Sequence, residues 1–266
     1  MYDRYNRHIH YLRISVTDRC NLRCTYCMPE EGIQLVGHQD ILSFEEIINV
    51  VRVAVSLGID KFRITGGEPL VRKDIVALIS QIAAIGGVKD LSMTTNGIFL
   101  EELAQPLKDA GLHRINISLD TLDAEKFKII TRGGELRMVL RGIEAAQYAG
   151  LDPVKINCVV MESSMETDAL AVKEFGRKNN LLVRFIHQMN LETGEFSIVE
   201  GGNGGNCHQC NRLRMTANGM VMPCLFDEQQ FSVRELGAEK ALLDALDCKP
   251  LNGCLNRIGS FSNIGG

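Results

Sequence analysis

Three cysteines within eight residues, Cys20, Cys24 and Cys27, give the sequence its strongest chemical signal. They follow a predicted strand, so a tight loop can present three thiolates to separate irons of an iron–sulfur cluster. Three ligands leave one iron of a four-iron cluster open, and an open metal position is typical of a reactive site. A structural zinc site usually has four ligands in paired C-x₂-C form, which this C-x₃-C-x₂-C spacing does not match. Buried, unligated thiols are the other alternative.

A second group of cysteines comprises Cys207, Cys210 and Cys224. A C-x₂-C pair with a distant third cysteine can hold zinc or iron, and the spacing alone does not choose between them. Arg212 and Arg214 stand beside the pair, and their planar, multidonor side chains suit a phosphate or the acceptor edge of a purine. A structural zinc knuckle does not need these arginines.

The remaining cysteines have less defined roles. Cys158 alternates with apolar neighbours in a predicted strand, so we expect it in the core. Cys248 and Cys254 follow the second group, and two alternatives stay open for them. One of them supplies a fourth ligand to that group and closes its metal site, or both are free thiols.

The composition of the chain limits the classes of protein to which it can belong. With 266 residues, 45% of them hydrophobic and 23% charged, the chain can bury a core of one large domain or of a domain with a small appendage. The net charge of −4 gives no support to a nucleic-acid-binding surface. We find no apolar run of membrane-spanning length and no signal peptide at the start, and we expect a cytoplasmic protein. Nine clustered cysteines in such a protein indicate metal or redox chemistry, and an odd number argues against complete disulfide pairing.

The elements that position these groups alternate between short β-rich runs and longer stretches of helical apolar spacing, which predicts about six βα units around a parallel sheet. Strands are predicted at 11–17, 61–65, 90–95, 114–119, 153–160 and 181–187. Helices are predicted at 43–57, 73–84, 100–110, 135–149 and 167–179, the first opening with a capping box of Ser43 and Glu46.

Polar clusters follow most of these strands, at the ends where a barrel of βα units carries its catalytic groups. They lie at 18–27, 66–68, 94–97, 118–120 and 155–157. After about Met189 the alternation stops, and a Gly-rich, polar segment reads as a linker or mobile loop. The sequence therefore predicts two regions, a barrel over 1–189 and a small cysteine-bearing region over 190–266.

The first cysteine motif, with the aromatic Tyr26 before its last cysteine, resembles the signature of the radical S-adenosylmethionine (SAM) enzymes. The resemblance implies an α/β fold, a partial (β/α)₆ barrel of the TIM type. It also implies a 4Fe–4S cluster on Cys20, Cys24 and Cys27, whose open iron binds SAM and whose electron cleaves SAM to a 5′-deoxyadenosyl radical. Gly66, Gly67 and Glu68 resemble the family's GGEP motif, where glycines let backbone approach a ligand. The further positions matching SAM contacts in the family are Tyr26, Thr94, Asn96, Ser118, Lys155 and Met189.

The segment CHQCNRLRMTANGMVMPCLF and the terminal Gly265-Gly266 are similar to the C-terminal motifs of the GTP 3′,8-cyclases, the radical SAM enzymes that begin molybdenum cofactor synthesis. This resemblance implies a second 4Fe–4S cluster on Cys207, Cys210 and Cys224 that anchors the purine of GTP. It implies catalytic roles for Arg13, Arg212 and Arg214, and a Gly-Gly tail that reaches the active site. It further implies a flavodoxin- or ferredoxin-type electron donor, a downstream pterin synthase and a homodimer. The residues expected to bind the triphosphate are Arg13, Lys61, Arg63, Arg212 and Arg214.

The chain departs from that family in the link between Met189 and Cys207, which is several dozen residues shorter than we expect. It therefore reads as a compact variant with a shortened C-terminal region. Two other functions remain as alternatives. One is a different radical SAM enzyme with an auxiliary 4Fe–4S cluster, for example one that modifies a peptide. The other is a non-catalytic iron–sulfur or zinc protein.

Overall fold

The computed structural model describes residues 1–257 and 261–264, so the Gly265-Gly266 tail lies outside the described residues. Nine strands form one sheet in the order β6-β5-β4-β3-β2-β1-β7-β8-β9. Neighbouring strands from β6 to β1 are all parallel, as a barrel of βα units requires. The strands are β1 (Tyr11–Ser15), β2 (Lys61–Thr65), β3 (Asp90–Thr95), β4 (Arg114–Ser118), β5 (Val154–Val160), β6 (Leu182–His187), β7 (Arg212–Met215), β8 (Met220–Met222) and β9 (Phe231–Ser232).

Helices connect the parallel strands, and the predicted partial (β/α)₆ barrel is confirmed. No helix of the described residues is long and apolar enough to span a bilayer. The helices are α1 (Phe44–Ser56), α2 (Ile75–Ala83), α3 (Leu100–Asp109), α4 (Ala124–Thr131), α5 (Leu136–Tyr148), α6 (Thr167–Lys178), α7 (Val233–Leu236), α8 (Ala238–Asp247) and α9 (Phe261–Ile264).

One hydrophobic core fills the space between the strands and the surrounding helices. Alternate strand residues such as Leu12, Phe62 and Ile115 are fully buried in it together with Leu78 of α2. Cys158 belongs to the same core with no exposed surface, which confirms the expectation for this thiol. The intervening strand residues face the inside of the barrel, where most of the polar and charged side chains described below are found.

The predicted start of α1 is also confirmed. The Ser43 hydroxyl accepts a hydrogen bond from the Glu46 amide at 3.2 Å, and the Ser43 amide donates to a Glu46 carboxylate oxygen at 2.7 Å. Two of the four unpaired amides of the first turn are thereby satisfied. Helix α4 was not predicted, because it is only eight residues long and only two of these residues are buried.

The segment after Met189 continues the barrel sheet. Strand β7 pairs in parallel with the free edge of β1, and β8 and β9 extend the sheet from there in antiparallel register. Between β6 and β7, Glu200 forms an antiparallel bridge with Phe185, so this part of the Gly-rich segment lies along the open edge of β6. The division into regions 1–189 and 190–266 stays a prediction.

Candidate active site: two adjoining cavities

The two cysteine groups lie at opposite ends of the barrel strands. Cys20, Cys24 and Cys27 follow the carboxyl end of β1. Cys207 and Cys210 precede the amino end of β7, and Cys224 follows the antiparallel β8, which returns the chain to that same end. Each group lines a cavity, which we call the first cavity for Cys20, Cys24 and Cys27 and the second cavity for the others.

The first cavity, of about 190 Å³, collects most of the residues predicted to hold a cluster and SAM. They come from the cysteine loop and from the segments that follow β2, β3, β4 and β6, because the carboxyl ends of parallel strands meet at one edge. The predicted residues that line it are Cys20, Cys24, Tyr26, Cys27, Gly66, Gly67, Glu68, Thr94, Asn96, Ser118 and Met189.

Helix α4 holds the cysteine loop in place. The amides of Arg23 and Thr25 donate to the carbonyls of Thr131 and Ile130 at its end. Arg132, which follows the helix, donates to the carbonyls of Arg23 and Met28. The cysteine loop is therefore anchored at Arg23, Thr25 and Met28 by the end of a helix that the sequence reading missed.

The donor set of the first cavity fits a cluster. Burial raises the pKa of Cys24 to about 12 and that of Cys27 to about 11, so the thiols need a positively charged metal centre to release their protons. Among the described residues, no three His, Cys, Asp or Glu side chains converge on a point that a single ion could occupy.

The two glycines of the GGEP motif allow a close approach between backbone segments. A Cβ on Gly66 would stand 2.5 Å from the Thr17 carbonyl oxygen, and one on Gly67 would stand 2.4 Å from that of Arg19. Their contact with SAM stays a prediction. Although both line the first cavity, their missing side chains let β2 approach the backbone that leads to Cys20, with Gly67 N donating to Thr17 O at 2.7 Å.

Glu68 is 1% exposed and joins the ends of two strands. Its carboxylate accepts from Leu70 N at 3.0 Å, from the Thr95 hydroxyl at 2.7 Å and from Asn96 N at 2.6 Å. Burial raises its pKa to about 7 despite these bonds. A carboxylate can accept about four hydrogen bonds, so one position is left for a donor in the cavity such as the ammonium of SAM.

Asp120 accepts a hydrogen bond from Tyr26, which lines the first cavity. The Tyr26 hydroxyl donates to Asp120 Oδ2 at 2.8 Å, and Val159 N donates to Oδ1 at 2.8 Å. Burial raises the pKa of Asp120 to about 6. The sequence placed Asp120 in a strand-end polar cluster without a role, and the structure makes it the residue that orients the aromatic side chain of the cysteine loop.

The second cavity, of about 150 Å³, is lined by the second cysteine group and by a set of cations. Four predicted substrate residues lie there, and they come from β1, β2 and β7. The structure adds Arg184 from β6 and Lys249 after α8. The predicted residues in its lining are Cys207, Cys210, Cys224, Arg13, Arg63, Arg212, Arg214 and Met189.

Strand register places three of these arginines side by side. Arg13 on β1 stands opposite Arg63 on β2 and opposite Arg214 on β7. Burial, followed by repulsion from Arg214, lowers the pKa of Arg13 well below its ordinary value. Burial and repulsion from Arg212 lower the pKa of Arg214 to about 10. The interior of this acidic chain is thus strongly cationic, which suits a polyanionic ligand.

Two predicted residues line neither cavity. Lys61 lies one step further toward the amino ends of the strands, in an ion pair with Asp90 at 3.1 Å. Lys155 stands opposite Asn116 across the sheet. Its pKa is lowered to about 8 by burial and then by repulsion from Arg184. The predicted triphosphate contact of Lys61 and the predicted SAM contact of Lys155 stay predictions.

Cys248 and Cys254 also stay outside the lining of the second cavity. Cys254 is exposed, and its Sγ lies 4.0 Å from the Asn252 carbonyl oxygen. Three cysteines therefore line this cavity, and the three-cysteine alternative is the one that the geometry favours.

The two cavities adjoin, since Asn157, Ile186 and Met189 line both of them. The predicted SAM contact Met189 thus lies at the boundary between the cavities. A ligand in the second cavity and one in the first cavity can therefore meet inside the barrel.

Comparison with known proteins agrees with this arrangement. Residues 14–175 match the family model described as the Radical SAM superfamily. A GTP 3′,8-cyclase of Moorella thermoacetica is 41% identical over 280 residues, covering 88% of this chain and 86% of the relative. The chain belongs to the GTP 3′,8-cyclase family of radical SAM enzymes. A member from Pelotomaculum thermopropionicum is 37% identical over 326 aligned positions that cover 100% of both chains.

That last alignment shows that the chain is a short GTP 3′,8-cyclase family member. All 266 residues take part in its 326 positions, so about 60 of these positions have no residue here. Among solved structures, native anSMEcpe with bound AdoMet has a TM-score of 0.68 at 17% identity, covering 91% of this chain and 81% of that one. At this identity the similarity concerns the fold alone.

Sequence reasoning missed Arg184 and Lys249, for different reasons. Arg184 falls on the inward-facing alternation of β6, opposite Asn157 of β5, so the alternation rule could have found it. Lys249 follows a helix and precedes a proline, where lysine is common on surfaces. Only its position at the back of the second cavity distinguishes it.

Proposed function

We propose that the protein cyclises GTP to (8S)-3′,8-cyclo-7,8-dihydroguanosine 5′-triphosphate, the first step of molybdopterin biosynthesis. One observation carries the proposal: a cavity with three cysteines and SAM-type contacts adjoins a second cavity with three cysteines and a row of buried arginines. The relatives that support the substrate are named GTP 3′,8-cyclases.

In this function the first cavity binds SAM and a 4Fe–4S cluster. When bound, these groups would supply the 5′-deoxyadenosyl radical that removes a hydrogen atom from C3′ of GTP. The C3′ radical would then form a bond to C8 of guanine, and one electron and one proton would complete the dihydroguanosine product. Cys20, Cys24 and Cys27 hold the cluster. Glu68 accepts from the SAM ammonium at its remaining lone pair, and Asp120 fixes Tyr26 against the bound cofactor.

The second cavity positions the nucleotide. Arg13, Arg63 and Arg214 form one row across three strands, and their charges stabilise the triphosphate by charge-assisted hydrogen bonds. Arg184 and Arg212 extend this cationic surface toward the Gly-rich segment, whose carbonyls at Gly201 and Asn203 they contact at 3.3 Å. Cys207, Cys210 and Cys224 hold the second 4Fe–4S cluster, which anchors the purine.

The partners follow from the same chemistry. Because the reaction begins with one electron, we propose a flavodoxin- or ferredoxin-type donor. From the resemblance to the family we also propose a downstream pterin synthase that consumes the product, and a homodimeric assembly. None of the nine cysteines, all of which are among the described residues, forms a disulfide, and we propose a cytoplasmic location.

The test is an anaerobic turnover of reconstituted protein with SAM, a strong reductant and GTP carrying deuterium at C3′. Mass spectrometry follows deuterium into 5′-deoxyadenosine and the cyclised nucleotide. Both products together establish the function. Unlabelled 5′-deoxyadenosine with intact GTP would show SAM cleavage uncoupled from GTP, as expected of a radical SAM enzyme for another substrate such as a peptide, and would refute the proposal.

A further inference from the structure

Lys249 is a buried cation at the back of the second cavity. Only 1% of its surface is exposed, although it follows the end of helix α8. It lines the cavity together with the second cysteine group, but it belongs to none of the strands that carry the arginine row. Burying an ammonium is costly unless all its protons are bonded and its charge is balanced.

Its hydrogen bonds reach both cysteine-bearing turns. The Nζ atom donates to the Arg212 carbonyl at 2.7 Å, two residues after Cys210. It donates to the Pro223 carbonyl at 2.6 Å, immediately before Cys224. The ammonium group of Lys249 therefore connects the two turns.

The third cysteine is tied to the same segment through Arg7. Its guanidinium donates to the Cys207 carbonyl at 2.8 Å and to the Pro250 carbonyl at 2.7 Å. Arg7 is itself fixed by Asp3 at 2.6 Å in a buried ion pair. Both cysteine-bearing turns are thus tied to Lys249, and Cys207 is also tied through Arg7 to Pro250, the residue after Lys249.

The charge of Lys249 points to an anionic occupant. Among the described residues, none of the ion pairs involves Lys249, while three cysteine side chains face the same cavity. A cluster bound through three thiolates brings negative charge to that place. A fixed cation beside a cluster favours the reduced, more negative state and so raises the reduction potential.

We propose that Lys249 is a positioning residue of the second cluster, which holds its cysteine turns together and raises its reduction potential. This rests on the proposed function only in requiring that Cys207, Cys210 and Cys224 hold an iron–sulfur cluster. It assigns no contact between Lys249 and GTP.

The test compares Lys249→Met, which keeps the length without the charge, with Lys249→Arg, which keeps the charge. The matched control is Lys240→Met, because Lys240 lies on helix α8, which precedes Lys249, in an exposed pair with Asp244. Each full-length protein is reconstituted, and iron release to a chelator and the midpoint potentials of both clusters are measured. We expect Lys249→Met to release the second cluster's iron roughly tenfold faster or more. Any second cluster it retains has a lowered potential that Lys249→Arg restores in part.

SAM cleavage without GTP shows that the barrel and first cluster of each variant are intact. If Lys249→Met is insoluble, Lys249→Gln carries the same expectation. Iron release and potentials equal to those of Lys240→Met would overturn the inference. A wild-type protein that binds one cluster would instead refute the proposed second cluster, and two clusters without cyclised GTP would refute only the proposed reaction.

Discussion

Replacing Arg214 with methionine should increase the free energy of unfolding and weaken the binding of GTP. Arg214 is buried in a row of cations, and its pKa falls from 12.5 to about 10 because of burial and of repulsion from Arg212. A lowered pKa of a base means that the charged form destabilises the folded state at every pH below about 10. That drop corresponds to roughly 3 kcal/mol. We therefore expect the cluster-free Arg214→Met protein to be more stable than the wild type, by roughly 1–3 kcal/mol at pH 7.5.

The same change should weaken GTP binding. A charge-assisted hydrogen bond contributes about 1.5–3 kcal/mol, so losing one corresponds to roughly 10- to 150-fold weaker binding. Urea unfolding of the cluster-free protein measures the first effect, and equilibrium dialysis of GTP with the reconstituted protein measures the second. SAM cleavage without GTP should be unchanged, since Arg214 does not line the first cavity.

The control is Arg177→Met, because Arg177 is exposed on α6 and pairs with Glu174 at 2.8 Å. We expect it to change neither quantity by more than about 0.5 kcal/mol. If Arg214→Met is less stable than the wild type and binds GTP equally well, the charge of Arg214 is not repelled in the free protein and does not meet the triphosphate.

Three further changes test the supports of the two cavities. Because the folded pKa of Glu68 is about 7, above its ordinary 4.5, the cluster-free protein should lose stability as pH rises from about 4.5 to about 7, and Glu68→Gln should reduce that slope in urea unfolding. Asp3→Asn leaves Arg7 buried without its charge partner and should cost roughly 3–5 kcal/mol in thermal unfolding; a loss below 1 kcal/mol contradicts this. Gly67→Ala should cost roughly 1–3 kcal/mol and weaken SAM binding in equilibrium dialysis, because its Cβ meets backbone at 2.4 Å. Gly86→Ala, whose Cβ meets nothing within 4 Å, is its control and should match the wild type.

Local pattern was sufficient for the barrel and for the first cavity. Each predicted strand and helix of the barrel corresponds to an observed one, because βα units place apolar periodicity and turn residues within short stretches of chain. Parallel strands then gather the residues after their carboxyl ends, so the cysteine loop, Glu68 and Asn96 meet without any further information.

The pairing of strands far apart in the chain could not be predicted from the local sequence pattern. Strand β7 joins β1 across about 200 residues, and its few residues carry no local sign of that partner. Helix α4 was missed although Asp123 caps it, accepting from Glu125 N and Lys126 N, because so short a helix has little apolar periodicity. Sequence also could not show that the backbone of Thr17 and Arg19 lies directly against the GGEP glycines.

The pairing of β7 with β1 fixes the distance between the two cysteine groups. One cysteine group is connected to the carboxyl end of β1 and the other to the amino end of β7, so hydrogen-bond register sets their separation. A shift of β7 by two residues would keep every side chain on its face and move one group about 7 Å relative to the other. Reacting atoms must stand about 3–3.5 Å apart. After such a shift, both cavities would keep their lining residues. The substrate would nevertheless lie too far from the radical to react.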